Sequence, residues 1–191
     1  MRIVGGEFRG RTLVTPSDER IRPTSDRVRQ TVFDILAHAY GDPVRGARVL
    51  DLFAGTGALG LEAVSRGAAS VLFVEDGAEA RGTIRGNVEA FGLTGRTRIF
   101  RRDATRLGDA GNVPPFGVAF ADPPYGHGQG EKALTAAVAG HWLADNALVV
   151  LEEAAGTAIA PVAGLEVLES RRIGDTQVVF LRRTRLADSA D

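Results

Sequence analysis

The chain has 191 residues, with 23 Lys and Arg against 24 Asp and Glu, a formal net charge of −1, 44% hydrophobic residues and no cysteine. That length holds one domain with a full core, or one domain and a small appendage, and the balance excludes a uniformly basic nucleic-acid binder. The missing cysteines exclude disulfides, thiolate metal sites and cysteine nucleophiles.

Residues 1–22 read as a small β element. Arg2-Ile3-Val4 and Thr12-Leu13-Val14 flank the stretch Gly5 to Gly10, and Pro16 ends it. A helix is predicted over residues 26–39, capped by Thr24 or Ser25, with Val28, Val32, Ile35 and Leu36 at helical spacing. The turn Gly41-Asp42-Pro43 closes this extension, so residues 1–43 form a unit ahead of a domain over 44–185.

From residue 47 strand and helix alternate. Val49-Leu50 begins a first strand that leads into Asp51-Leu52-Phe53-Ala54-Gly55-Thr56-Gly57, and a helix over about 58–66 ends at Gly67. Val71 to Val74 form a second strand, and a helix over 78–91 follows, weakened by Gly82 and Gly86. Arg98 to Phe100 and Val118 to Ala121 are the third and fourth strands. A helix over Glu131 to Leu143 precedes a fifth strand at Ala147 to Leu151. Leu165 to Ile173 and Thr176 to Arg183 make a terminal hairpin, and residues 186–191 read as a disordered tail. The expected architecture is α/β: a mostly parallel seven-stranded sheet with helices on both faces and an antiparallel C-terminal strand.

Charge is uneven. Residues 1–30 hold seven Arg against four acids, residues 96–106 five against one, and residues 171–185 five against one. Such local positive faces suit phosphate. They also suit a genome that writes Arg for Lys, since Lys132 is the only lysine. No apolar run approaches a membrane span and no signal-like core follows Arg2, so a cytoplasmic protein is expected. His38, His127 and His141 show no metal-ligand spacing.

Gly55-Thr56-Gly57-Ala58-Leu59-Gly60 fits a dinucleotide-type loop between strand and helix, which alone does not separate nicotinamide from other adenosine cofactors. Asp51, just before the loop, repels a pyrophosphate but suits the ammonium and sulfonium of S-adenosylmethionine. The bland alternative is an Asx turn. Glu75 ends the second strand, 24 residues after Asp51, where an acid meets ribose hydroxyls. Asp103 ends the third strand and is placed either to accept from an adenine amine or to pair with Arg98, Arg101, Arg102 and Arg106.

Asp122-Pro123-Pro124-Tyr125 follows the fourth strand. The prolines fix φ and remove two donors, leaving carbonyls to accept. The Asp122 carboxylate and the Pro123 carbonyl suit the two N–H bonds of a planar amine, and Tyr125 suits its ring face. Methylation at a pyrimidine ring carbon commonly needs the cysteine this chain lacks. The corner itself leaves adenine, guanine, cytosine and glutamine open.

Taken in order, Asp51-x-Phe53-x-Gly55-Thr56-Gly57, Glu75, Asp103-Ala104 and Asp122-Pro123-Pro124-Tyr125 resemble the motifs of class I methyltransferases with their Rossmann-like fold. Arg2-Ile3-Val4-Gly5-Gly6, Arg9-Gly10-Arg11-x-Leu13 and Arg22-Pro23-Thr24-x-Asp26-Arg27-Val28-Arg29, with Phe33 and the later Gly174-Asp175-Thr176, resemble the RsmD family of bacterial 16S ribosomal RNA guanine-N2 methyltransferases. Gln30 replaces a family-typical acid. The resemblance implies methyl transfer from S-adenosylmethionine to N2 of guanine 966 of 16S RNA, on a small-subunit particle; a monomer is the default expectation. It implies a cofactor site of Asp51, Phe53, Gly55, Gly57, Glu75, Asp76, Asp103 and Ala104, and a transfer site of Asp122, Pro123 and Tyr125. Pro124 and the Arg22 to Thr24 segment would lie near the substrate, and Arg9, Arg11, Arg20 and Arg22 would meet phosphate. The rival readings are an amino methyltransferase acting on DNA adenine or protein glutamine, a non-catalytic Rossmann-like RNA-binding module, and, at fold level, a nicotinamide oxidoreductase.

Overall fold

Strands apolar on both faces set the frame. In the computed structural model, which describes residues 1–15 and 25–184, β1 (Arg48–Leu52) and β4 (Phe116–Ala121) pair in parallel at the sheet centre. Their burial on both sides is what a parallel sheet covered by helices requires. β2 (Ser70–Val74) and β3 (Thr97–Phe100) extend the sheet on one side, and β5 (Leu143–Ala154), β7 (Thr176–Arg183) and β6 (Leu165–Ile173) on the other. The order is β3-β2-β1-β4-β5-β7-β6, with β7 antiparallel to both β5 and β6. The expected seven-stranded mixed sheet is therefore the one observed.

Period-two alternation divides the core. Val49, Phe73, Phe120 and Val150 face one cluster, and Leu50, Leu52, Ala119 and Val149 the other. α1 (Asp26–Ala39), α2 (Ala58–Ser65) and α3 (Ala78–Ala90) cover the first face, and α4 (Gln129–Ala139) the second. Ser25 caps α1 by accepting from the Val28 amide at 3.1 Å. α2 ends in a Schellman motif: Gly67 at φ 101° donates to Val64 O at 3.0 Å, and Ala68 to Ala63 O at 3.0 Å.

The N-terminal β element shrinks to a single antiparallel bridge, Arg2 with Thr12. Ile3 and Leu13 still donate across it, to Arg11 O and Met1 O at 3.0 and 3.1 Å, while the backbone that follows Ile3 turns to α2. Glu62 accepts from the amides of Val4 and Gly5 at 2.9 and 2.8 Å, and Ser65 O accepts from Glu7 at 2.8 Å. Behind this contact the fully buried Arg29 donates its Nε to Glu62 at 3.3 Å.

Two boundaries move. α4 runs over residues 129–139 rather than 131–143, because His141 at φ 61° takes the left-handed position that a Gly usually holds. Gly140 stands one residue earlier for another reason: a Cβ there would sit 2.1 Å from Gly108 O. Trp142 is thereby freed to turn inward and donate to Gly108 O at 2.7 Å. β5 begins at Leu143 and reaches Ala154, beyond the expected 147–151, because β7 pairs with it as far as Thr176. A 3-10 turn, Ala104–Arg106, was not anticipated. Pro16, Arg20, Arg22, Thr24 and the expected tail at 186–191 lie outside the described residues.

Candidate functional site

Strand order reverses between β1 and β4, and the crevice outside their carboxyl ends is where an open α/β sheet offers a ligand site. A cavity of about 1160 Å³ opens there. Residues 53–57 turn sharply along its wall, with Phe53, Gly55 and Gly57 at φ of 59°, 56° and 78°. Phe53 is held in that uncommon conformation by packing its ring on the second core cluster.

Asp51, next to last in β1, is almost fully buried, and its Oδ2 accepts the Gly60 amide in the first turn of α2 at 2.9 Å. The carboxylate thus uses a helix N-terminus rather than an Asx turn in the following loop. Burial pushes its pKa well above the usual carboxylate range; the Gly60 amide opposes this, and Asp122 and Glu75 add to it. Glu75 bridges two loops, with Oε2 accepting from Gly55 at 2.8 Å and Oε1 from Gly77 at 2.7 Å. Each oxygen keeps a lone pair for a hydroxyl donor. Asp76 lines the cavity beside it.

Asp103 is exposed and closes the 3-10 turn, accepting from the Thr105 hydroxyl at 2.7 Å and the Thr105 amide at 2.8 Å. These bonds hold its pKa below the usual range. The guanidinium of Arg102 lies over Phe100 at 4.6 Å and donates to Leu107 O at 2.6 Å. Ala104 is buried behind Asp103, and both line the cavity.

The Asp122–Tyr125 corner faces this wall across the crevice. The Asp122 amide approaches Leu52 O at 3.5 Å. The Tyr125 hydroxyl bonds Thr176 Oγ1 at 3.2 Å, and Gly126 donates to Glu153 Oε1 at 2.9 Å. These last two contacts tie the corner to β7 and β5, so the ring of Tyr125 has a fixed seat. Asp122, Pro123, Pro124 and Tyr125 all line the same cavity as Asp51, Phe53, Gly55, Glu75 and Asp103.

Other residues expected at the site lie elsewhere. Arg9 and Arg11 do not line the cavity; the Arg11 guanidinium stands over Phe91 at 4.1 Å and donates to Ala90 O at 2.6 Å. Arg22 and Thr24 fall outside the described residues. Thr56, Lys132 and Glu152 also line the cavity, beyond the residues expected there. Glu152 was findable: a strand ending at Leu151 leaves it in the strand-end place that Asp51, Glu75 and Asp122 occupy. It is 2% exposed, and its Oε1 meets no hydrogen-bond donor among the described residues. Burial, and then the Asp122 charge, push its carboxyl well up; Arg29 opposes them and Asp51 adds to them.

Among the described residues the lining carries eight acids and three basic residues. That charge disfavours a pyrophosphate and favours a cationic ligand.

A family model described as conserved hypothetical protein 95 matches residues 1–182. Ribosomal RNA small subunit methyltransferase D of Escherichia coli K12 is 40% identical over 154 residues, covering 80% of this chain and 74% of that protein. The YlbH protein of Bacillus subtilis is 34% identical over 154 residues, covering 80% of this chain and 82% of its own length. Among solved structures, yhhF from Escherichia coli superposes with a TM-score of 0.82 at 32% identity, covering 97% of this chain and 99% of that one.

Proposed function

The chain belongs to the RsmD family, and from that premise we propose that it methylates the exocyclic N2 of a guanine in the RNA of the small ribosomal subunit, guanine 966 of 16S RNA by family resemblance. The fold is that of class I methyltransferases, and S-adenosylmethionine is the expected cofactor. The observation that carries the reading is the shared cavity: the glycine loop after β1 and the Asp-Pro-Pro-Tyr corner after β4 open onto one space. No helix among the described residues is long and apolar enough to cross a membrane, and a cytoplasmic monomer acting on ribosomal particles fits the reading.

The residues present suit this cofactor. Left-handed glycines at 55 and 57 leave the loop open to close approach, Glu75 presents lone pairs to ribose hydroxyls, and the acidic lining suits positive charge. When bound, it supplies an electrophilic methyl group on a sulfonium. Asp51, Phe53 and the loop would hold its methionyl end, Glu75 and Asp76 its ribose, and Asp103 and Ala104 its base.

An amine attached to a purine is a poor nucleophile because its lone pair is delocalised into the ring. The Asp122 carboxylate and the Pro123 carbonyl would accept both N–H bonds and turn that lone pair out of the ring plane. Tyr125, seated by Thr176, would stack the base, with Pro124 at its rim. The Asp122 carboxylate would also take up the surplus proton of the methylated nitrogen. Catalysis is positioning and electrostatics. An acidic cavity repels the RNA backbone, so a flipped base alone would enter while phosphates stay outside.

Radiolabelled methyl transfer to under-methylated small subunits, followed by mapping of the modified nucleotide in a strain lacking and then regaining the protein, tests this. Label on DNA or on a protein acceptor instead would replace the reading.

A further inference from the structure

Glu152 has no task in the transfer as described, yet it is built into the same cavity. The parallel register pairs Ala121 with Leu151, so the next residues, Asp122 just past the end of β4 and Glu152 on β5, stand side by side. Adjacent strands lie about 4.8 Å apart. Alternation puts both side chains on the face that carries Phe120 and Val150. A buried acceptor without a donor is costly and uncommon. The open Glu152 Oε1 borders a ligand cavity rather than sealed core.

We propose that Glu152 reads the guanine base, its carboxylate accepting the N1–H while Asp122 and the Pro123 carbonyl hold the 2-amine. This rests on the guanine-N2 reading above. The donor pattern of the candidate amines supports it. In adenine the amine is flanked by the bare ring nitrogen N1, and in cytosine by the bare N3. A carboxamide is flanked by its own carbonyl oxygen. Guanine alone of these places a ring N–H beside the amine, so two neighbouring acceptors match two neighbouring donor groups. Against adenine or cytosine the same Glu152 oxygen would face a lone pair, and rejection would come from repulsion as well as from a lost bond. Burial strengthens both effects.

Reconstituted small-subunit particles carrying guanine or 2-aminopurine at the target test the proposal, because 2-aminopurine keeps the 2-amine and lacks the N1–H. Wild-type kcat/KM should favour guanine by about 10- to 100-fold. In Glu152→Gln, whose amide offers both donor and acceptor, that preference should fall about tenfold or more, with cofactor affinity by calorimetry unchanged. A residue that only supports the fold would lower both substrates together and leave the ratio intact. Equal use of the two bases by the wild-type protein overturns the proposal, as does an unchanged ratio in Glu152→Gln. If that variant does not fold, the wild-type preference decides alone. Methylation mapped to an atom other than guanine N2 overturns the underlying reading. Methylation at N2 without base preference overturns only the role of Glu152.

Discussion

Asp51 Oδ2 accepts the Gly60 amide at 2.9 Å, joining the end of β1 to the first turn of α2. The bond exists because residue 60 has no side chain: a Cβ there would lie 2.4 Å from Phe73 Cε1, 2.8 Å from Val71 Cγ1 and 2.9 Å from Asp51 Oδ2. Gly60→Ala should therefore destabilise the protein by about 1–3 kcal/mol through overpacking. It should also weaken S-adenosylmethionine binding as Asp51 is displaced. Thermal melts and calorimetry check both, and an unchanged Tm and Kd would refute the packing argument.

Arg29 and Glu62 form an ion pair in which neither side chain is exposed, and Glu62 also holds the Val4 and Gly5 amides. Removing Glu62 strips the buried Arg29 of one of its carboxylates and leaves it Asp26 at 2.9 Å, so Glu62→Ala should cost up to about 3–5 kcal/mol. The urea midpoint should drop accordingly, and proteolysis within residues 1–15 should accelerate. Protection of that arm equal to wild type would separate the ion pair from the arm's docking.

Asp122→Ala should lower kcat for methyl transfer by about 100- to 1,000-fold, the usual cost of losing one oriented polar group at the reacting centre. Cofactor affinity should change little. Undiminished transfer would remove Asp122 from the reaction.

Glu152 gives a pH-dependent stability. Its folded-state pKa is raised, chiefly by burial. Its contribution is therefore most favourable below the ordinary glutamate value of about 4.3 and is lost as pH climbs through the folded value. Glu152→Gln mimics the protonated form at every pH. Its Tm should match wild type near pH 4 and exceed it increasingly toward pH 8, by up to about 1–3 kcal/mol. A pH-independent difference would contradict this.

Arg9 and Arg11 should part company. Both are exposed, but the Arg11 guanidinium covers Phe91 and bonds Ala90 O. Arg11→Ala should cost about 0.5–2 kcal/mol of stability. Arg9→Ala should leave Tm unchanged and reduce the slope of log Kd for RNA against log salt by about one. An unchanged slope would take Arg9 off the RNA path.

Local physics made most of the framework legible. Apolar runs bounded by Gly, Asp and Pro mark β1, β2 and β4, and their carboxyl ends had to carry Asp51, Glu75 and Asp122 wherever the strands were laid. The end of α4 was hidden because its two signals are separated: Gly140 answers to Gly108 on another segment, while His141 takes the left-handed turn. The N-terminal strands are short because Val4 and Val14 give their amides to Glu62 and Asn87, on helices 58 and 73 positions away in sequence, while Ile3 and Leu13 still pair across the turn.

Which chemical groups stand at strand ends follows from local stretches of chain, since strand, loop and corner are each dictated by neighbours a few residues apart. Which of them meet is fixed by packing across the sheet. The reversal of strand order between β1 and β4 opens one crevice to the glycine loop and the corner. The register of β4 with β5 sets Glu152 beside Asp122. Arg11 is drawn away to Phe91 by the fold of residues 1–15 over α3. Such pairings depend on burial and on backbone register across the sheet, which no local stretch of chain encodes.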